Sequence, residues 1–576
     1  MATGEFGKRM TTGSPSASAA SARPTSYARH FDLVLAATLV VCAYLLVWAL
    51  GTAPIMGDES HHYRRAEGYW ETAWPQFRLT HDPAYPPEGQ CAIQYWEAAG
   101  WHLGLALIWK LLGRPSFMVA QVYHLGYTFA LGIFTYLAAR ELYGHRGGWW
   151  AWALVMTMPL NLLFGTIFYV EVPEAAMVAL AVYSILRRRP LWFGAALAGM
   201  FYIKLPSATV LAPPLVLAAL LRMGDRWRWR AAHTVLAAGV AFLLMLPDMV
   251  WRTKHFGSPI IFHVAMVQGP RIAYPLLSQL PPVRQSAIPL YILDPYVSLQ
   301  NFGVTGLVAI PAAVLASLWL LGRTLRRIGR NLRFAGPVLA VRSLADQVPA
   351  EVAVGAIPLI GYIFAYTTML HMAYDVRYFH PAVFFAALVS GGLLARLRPF
   401  AWAGARRRWV LGAAVLLVLA MIGQAVTVPR VVHSVRVLPA STAAGYEWIR
   451  RHTPPKARIF YLEYNLTALT KRPIVWAAAL PRYVFSVPEA EQIRVFCALD
   501  VEYIAIPPTR FIPQLDPTVE PMGYPLPWVR SLPSRPYLKQ VFPDPSRPAQ
   551  EGEFILYQIE KDKVPPEWLK EPPPQP

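Results

Sequence analysis

The stretch LVLAATLVVCAYLLVWALGTAPIMGDESHHY, residues 33–63, decides how the rest of the chain is read. Its apolar run over 33–51 is long enough to cross about 30 Å of hydrocarbon. A few residues later come two adjacent carboxylates, Asp58 and Glu59, and then Ser60, His61, His62 and Tyr63. Ionisable groups this close to the membrane are costly and mark candidate functional positions. Further apolar runs follow at 117–138, 149–167, 170–186, 191–206, 207–221, 232–250, 302–321, 352–370, 381–396 and 409–427. The pattern predicts an α-helical polytopic membrane protein with about eleven transmembrane helices.

Composition agrees. Of 576 residues, 55% are hydrophobic and 15% charged, whereas soluble proteins carry about 25% charged residues. An ordinary soluble enzyme is excluded. The net charge of +20 would suit a nucleic-acid partner only if the basic residues clustered on one soluble domain with interleaved aromatics. They do not. They collect in 1–32, 140–146, 187–189, 222–230, 323–342 and 396–408, where basic residues far outnumber acidic ones. The intervening loop 53–116 is richer in acidic residues. Cationic loops remain cytoplasmic, so the expected N-terminus is cytoplasmic. With an odd number of spans the C-terminus is extracytoplasmic, and nucleic acid is not an expected partner. The site of action is the inner or plasma membrane, with membrane lipids around the spans.

Four regions follow. Residues 1–32 form a low-complexity cytoplasmic tail, expected to be disordered. The run after it is too long for a signal-peptide core and lacks a cleavage site. Residues 33–429 form the transmembrane region, with 53–116 as its large first outer loop. Over 430–565 the apolar runs shorten to strand length at 458–462, 473–476, 503–506 and 554–557. Helical stretches near 441–452 and 488–499 alternate with them. This predicts a small extracytoplasmic α/β domain, followed by a Pro-rich tail over 566–576. Cys42, Cys91 and Cys497 are too scattered for a disulfide framework or a zinc cluster.

Several ionisable residues fall on the outer face of this topology. Asp58 can take a proton from an attacking hydroxyl, or it can cap a following helix, with Glu59 and Glu67 as solvated charges. Glu171 and Glu174 open a span, where a carboxylate also favours the helix dipole. Lys204 lies near another span end, from which it can snorkel to the headgroups. Asp375, Arg377 and His380 lie in one short outer loop, where Arg377 can pair with Asp375 alone. Acids and bases on one face suit a reaction with a general base and a cationic clamp for an anionic leaving group. No Walker, dinucleotide, HExxH or GxSxG pattern competes with this reading, and His61-His62 has no i,i+4 partner for a metal.

At these residues the chain resembles the GT-C superfamily of integral-membrane glycosyltransferases. Within it, the likeness is to the bacterial branch of protein O-mannosyltransferases and lipid A aminoarabinose transferases. GDESHHY (57–63) is similar to the family's Asp-Glu-x-x-x-Tyr motif. AYPP (84–87) and LALIWKLLG (105–113) resemble its Pro-Pro segment and interfacial helix. GMFYIKLP (199–206) and VRYFHPA (376–382) resemble its lysine and Arg-Tyr-x-x-Pro segments. AAGYEWIR (443–450) and DVEYIAI (500–506) resemble parts of its extracytoplasmic domain. Leu205 stands where the family more usually has Gly, and the Pro-Pro motif runs into EGQCAI (88–93).

The resemblance implies an inverting single displacement on a polyprenyl-phosphate-linked sugar, with a protein, lipid or glycan as acceptor. Asp58 would be the general base or orient the acceptor. Glu59 would stabilise the loop or the sugar's developing charge, and Glu171 would face the sugar. Lys204 and Arg377 would bind the donor phosphate, with Tyr63, Asp375 and His380 nearby. The lipid carries the activation, so no separate cofactor is expected and the scheme requires no metal. The rival readings are a polytopic transporter or flippase, for which matching internal repeats are expected and none is evident, and a structural membrane protein.

Overall fold

The computed structural model describes residues 26–51, 57–71, 100–256, 295–335, 346–368, 379–396, 404–461, 465–475, 487–506, 526–546 and 553–569, with single positions 259 and 485. In chain order the helices before the C-terminal sheet are α1 (Ser26–Trp48), α2 (Gly57–Glu71), α3 (Gly100–Leu112), α4 (Phe117–Thr157), α5 (Pro159–Phe164), α6 (Glu171–Leu186), α7 (Pro190–Ile203), α8 (Leu205–Arg222), α9 (Trp227–Phe256) and α10 (Pro295–Ala335). A π-helical turn over Val352–Ala356 leads into α11 (Ile357–Thr368), followed by α12 (His380–Arg396) and α13 (Gly404–Arg436). Every apolar run named above falls largely on these helices. Among the described residues, four helical stretches are by length and composition able to cross a membrane: Phe117–Thr157, Trp227–Val250, Phe302–Asn331 and Arg408–Ser434. The outward faces of α9, α10 and α13 expose Leu243, Leu315 and Leu416. Such a surface is stable against lipid and not against water.

Helix α4 is two antiparallel arms. Gly144 turns the chain between them at φ 76° and ψ −176°, a conformation available to glycine and strained for other residues. Tyr136 on the first arm meets Trp149 and Trp152 on the second, with ring centroids 5.5 and 5.8 Å apart. A continuous helix would separate residues 136 and 152 by about 24 Å. The basic residues that suggested a turn over 140–146 therefore do mark one. The second arm packs on α12, where Gly391 lies so close to Ala151 that an added Cβ would come within 2.8 Å of its backbone nitrogen. Small residues at such contacts let membrane helices approach.

The C-terminal unit contains α14 (Ala440–His452), β1 (Arg458–Phe460), α15 (Asn465–Thr470), β2 (Ile474–Val475), α16 (Glu489–Ala498), β3 (Val501–Ile506), α17 (Leu526–Ser531), β4 (Leu538–Phe542), β5 (Ile555–Ile559) and α18 (Pro566–Leu569). Its sheet has the order β2-β1-β3-β5-β4. β1 pairs in parallel with β2 and β3, and β5 is antiparallel to β3 and β4. Side chains alternate between the faces with the period of two that a strand imposes. Phe460, Ile504 and Tyr557 join Ile493, Phe496 and Trp528 on one face. Ile459, Tyr503, Ala505 and Leu556 join Tyr446 and Phe554 on the other. The strand-like runs read from sequence are β1, β2, β3 and β5. β4 was not among them, because its Lys539 and Gln540 interrupt the apolar pattern of LKQVF.

Candidate active site

The site is built around the chain between α5 and α6, residues 165–170, which several helices hold in place. From α4, His124 Nε2 hydrogen-bonds the Phe164 carbonyl oxygen at 2.7 Å, and Thr128 Oγ1 donates to the Gly165 carbonyl at 2.8 Å. From α2, Glu59 Oε1 accepts the Phe168 backbone N–H at 2.9 Å. From the end of α13, Arg436 donates to the same Glu59 oxygen at 3.0 Å and to the Thr166 carbonyl at 2.5 Å. Both charged side chains are fully buried. Charges this deep need a partner and further hydrogen bonds, and here both requirements are met.

The segment ends where α6 begins, and this places Glu171 and Glu174 in the first helical turn. Across from them lies Lys204. The helix running from Pro190 stops at Ile203, and Lys204 is extended at φ −152° and ψ 95°. Pro206 then sits in the first turn of α8, where a proline fits. This break aims a lysine at the start of α6. Lys204 Nζ lies 3.0 Å from Glu171 Oε1, with both side chains buried. Glu174, one turn further on, is buried and hydrogen-bonds Ser207 on α8.

Around this pair lies an aromatic and imidazole wall. His62 Nδ1 and His102 Nε2 are 3.1 Å apart, joining α2 to α3. The His62 ring stands edge-on to Tyr169 at 5.5 Å, and Trp101 stacks on Phe168 at 4.1 Å. His380, at the start of α12, meets the Phe164 ring edge-on at 5.3 Å. Tyr63 is buried against Trp109 and Phe117.

Of the residues singled out from sequence, Glu59, Glu171, Lys204, Tyr63 and His380 converge around residues 164–171. The side chain of Asp58, and Asp375 and Arg377, lie outside the described residues. Arg436, His124 and the His62–His102 contact were not foreseen. Arg436 follows the last apolar run, and nothing in its local sequence ties it to Glu59, 377 positions earlier. His124 sits in a run that reads simply as apolar helix. Among the described residues, no three His, Cys, Asp or Glu side chains converge as metal ligands.

No family model and no curated protein sequence matches this chain. Solved structures do. ArnT from Cupriavidus metallidurans superposes with a TM-score of 0.55 at 13% identity, over 94% of this chain and 100% of that one. The same protein bound to undecaprenyl phosphate gives 0.54 at 14% identity, over 92% and 98%. The oligosaccharyltransferase AglB from Archaeoglobus fulgidus, in complex with an inhibitory peptide and a dolichol-phosphate, gives 0.52 at 13% identity, over 84% and 70%. At such identity the likeness speaks for architecture, and over nearly the full length of ArnT that architecture is the GT-C fold.

Proposed function

We propose that this chain transfers a sugar from a polyprenyl-phosphate-linked donor to an acceptor on the outer face of the membrane. The observation that carries the reading is the buried Glu171–Lys204 pair at the helix break, set beside the Glu59 junction. A lysine and two carboxylates at this depth are costly without a task. The fold is shared with ArnT, which has been solved with undecaprenyl phosphate bound, and with AglB, solved with a dolichol-phosphate. In this reading the donor phosphate takes Lys204 from Glu171, and Arg377 adds a second cation. The freed Glu171 carboxylate faces the sugar as positive charge develops at its anomeric carbon.

The acceptor hydroxyl attacks the anomeric carbon from the side opposite the phosphate. The new C–O bond forms as the bond to the phosphate breaks, and the phosphate leaves with the electron pair. Asp58 takes the acceptor's proton. Configuration inverts, and the apolar tail of the donor lies between the spans.

The test uses the full-length protein in detergent with a radiolabelled undecaprenyl-phosphate hexose or pentose and a cell-envelope extract as acceptor. The expected result is label on the acceptor and one undecaprenyl phosphate released per sugar. Asp58→Asn should lower transfer at least about 100-fold. Lys204→Ala should lower transfer per folded molecule by about 100- to 1,000-fold, a larger effect than its loss of stability. Passage of the intact lipid-linked sugar across vesicles without cleavage would replace this reading with a flippase.

A further inference from the structure

Helix α2 carries Asp58 and Glu59, so whatever holds that helix sets the geometry of the proposed site. Its inner end is held by Glu59 through Arg436 and Phe168. Its outer end meets the C-terminal unit. Lys471, just after α15, places Nζ 2.5 and 2.8 Å from the two carboxylate oxygens of Glu67 on α2. The same ammonium lies 5.3 Å from the centre of the Tyr63 ring, one turn earlier. Glu67 also pairs with Arg64. Beneath these charges Ala468 of α15 packs against the cluster of Tyr63, Ala66, Trp101, Leu105 and Trp109, which joins α2 to α3.

The backbone at this contact is unusual. Lys471 adopts φ 60°, the left-handed conformation in which a helix commonly ends and which favours glycine. A lysine there carries a strain that glycine would avoid, and such strain tends to collect at functional positions. The conformation turns the chain out of α15 so that the ammonium reaches α2. Partial desolvation against α2 lowers the affinity of Lys471 for its proton, although 44% of its side chain stays exposed, and the Glu67 carboxylate opposes that effect.

We propose that Lys471 is a positioning residue: the C-terminal unit clamps α2 through Lys471, Glu67 and Tyr63, and so holds Asp58 and Glu59 in register for transfer. The clamp rests on the transferase reading for its effect on rate, but not for its effect on α2. The experiment therefore has two arms on the full-length protein, comparing the parent chain with Lys471→Met, Lys471→Arg and Glu67→Gln. Hydrogen exchange across residues 57–71 reads the clamp itself. Steady-state transfer from an undecaprenyl-phosphate sugar reads its consequence.

For Lys471→Met and Glu67→Gln, α2 amides should exchange at least tenfold faster. In both, kcat should fall at least tenfold, while KM for the lipid-linked sugar stays within twofold. Lys471→Arg should restore most of both. Unchanged α2 exchange in Lys471→Met overturns the clamp. Faster exchange with unchanged kcat overturns its role in positioning. A loss in Lys471→Arg as large as in Lys471→Met also overturns it, since a retained cation would then be irrelevant. If the parent chain transfers no sugar, the transferase reading falls, and the exchange arm still decides the clamp.

Discussion

Arg436 and Glu59 meet in a place from which water is excluded, and their pairing is where one side chain matters most. Removing one member of a buried ion pair leaves the other uncompensated, a loss of about 3–5 kcal/mol, whereas replacing both with apolar residues is far milder. Arg436→Met should therefore destabilise the protein by about 3–5 kcal/mol, and the double variant Glu59→Leu, Arg436→Met by distinctly less. Thermal unfolding in detergent measures both, and equal losses in the two would show that the uncompensated Glu59 charge is not what destabilises the single variant. Glu59 was legible in the sequence because it adjoins Asp58 just after the first span. Its role as the anchor of the chain at Phe168 was not, because both of its partners come from distant segments. Lys204 was legible because a lysine before a proline in an apolar stretch is conspicuous. That its charge is directed at Glu171 follows from how α7 and α8 break around it.

Among the elements, α4 shows how a single position shapes a bundle. Its two arms turn at Gly144 in a conformation that a Cβ strains. Gly144→Ala should cost about 1–3 kcal/mol. Gly126, on an exposed face of the same helix with nothing within 4 Å of an added Cβ, should accept alanine with a change under about 1 kcal/mol. Unfolding midpoints of the two variants check this, and similar values would remove the turn as the cause. The apolar runs and the cationic turn at 140–146 announce this hairpin in the sequence itself, since hydrophobic length and charge are local properties. In the C-terminal unit the same holds for β1, β2, β3 and β5, whose apolar runs are short and continuous. Strand β4 lies at the sheet edge, where a polar, solvated face is tolerated. Its LKQVF sequence therefore carries little strand signal, and only its pairing with β5 reveals it.

Across the whole molecule, two exposed carboxylates of the C-terminal unit carry an expected sensitivity to acid. Glu447 is held below the usual carboxylate range by hydrogen bonds from Arg450 and then Arg451, and Asp500 by one from Lys561. A carboxyl whose folded pKa is depressed contributes stability above its unfolded value, and that contribution is lost as pH falls through the folded value. These groups are exposed, so each effect is small. Between pH 7 and pH 3 the C-terminal unit should lose stability, seen as a lower unfolding midpoint by tryptophan fluorescence. Glu447→Gln combined with Asp500→Asn should shrink that drop, and an undiminished drop would assign it to other groups. At this scale the sequence by itself determined a polytopic helical membrane protein with a small α/β unit at its end, because hydrophobic length, strand period and charge placement are written locally. It also determined the candidate residues Glu59, Glu171 and Lys204, because ionisable groups are rare at membrane depth. Only the tertiary structure decided that Glu171 and Lys204 face each other, that Arg436 closes on Glu59, and that Lys471 reaches α2. Those contacts join segments as much as 404 positions apart, and such pairings depend on how helices pack against one another, which no local pattern encodes.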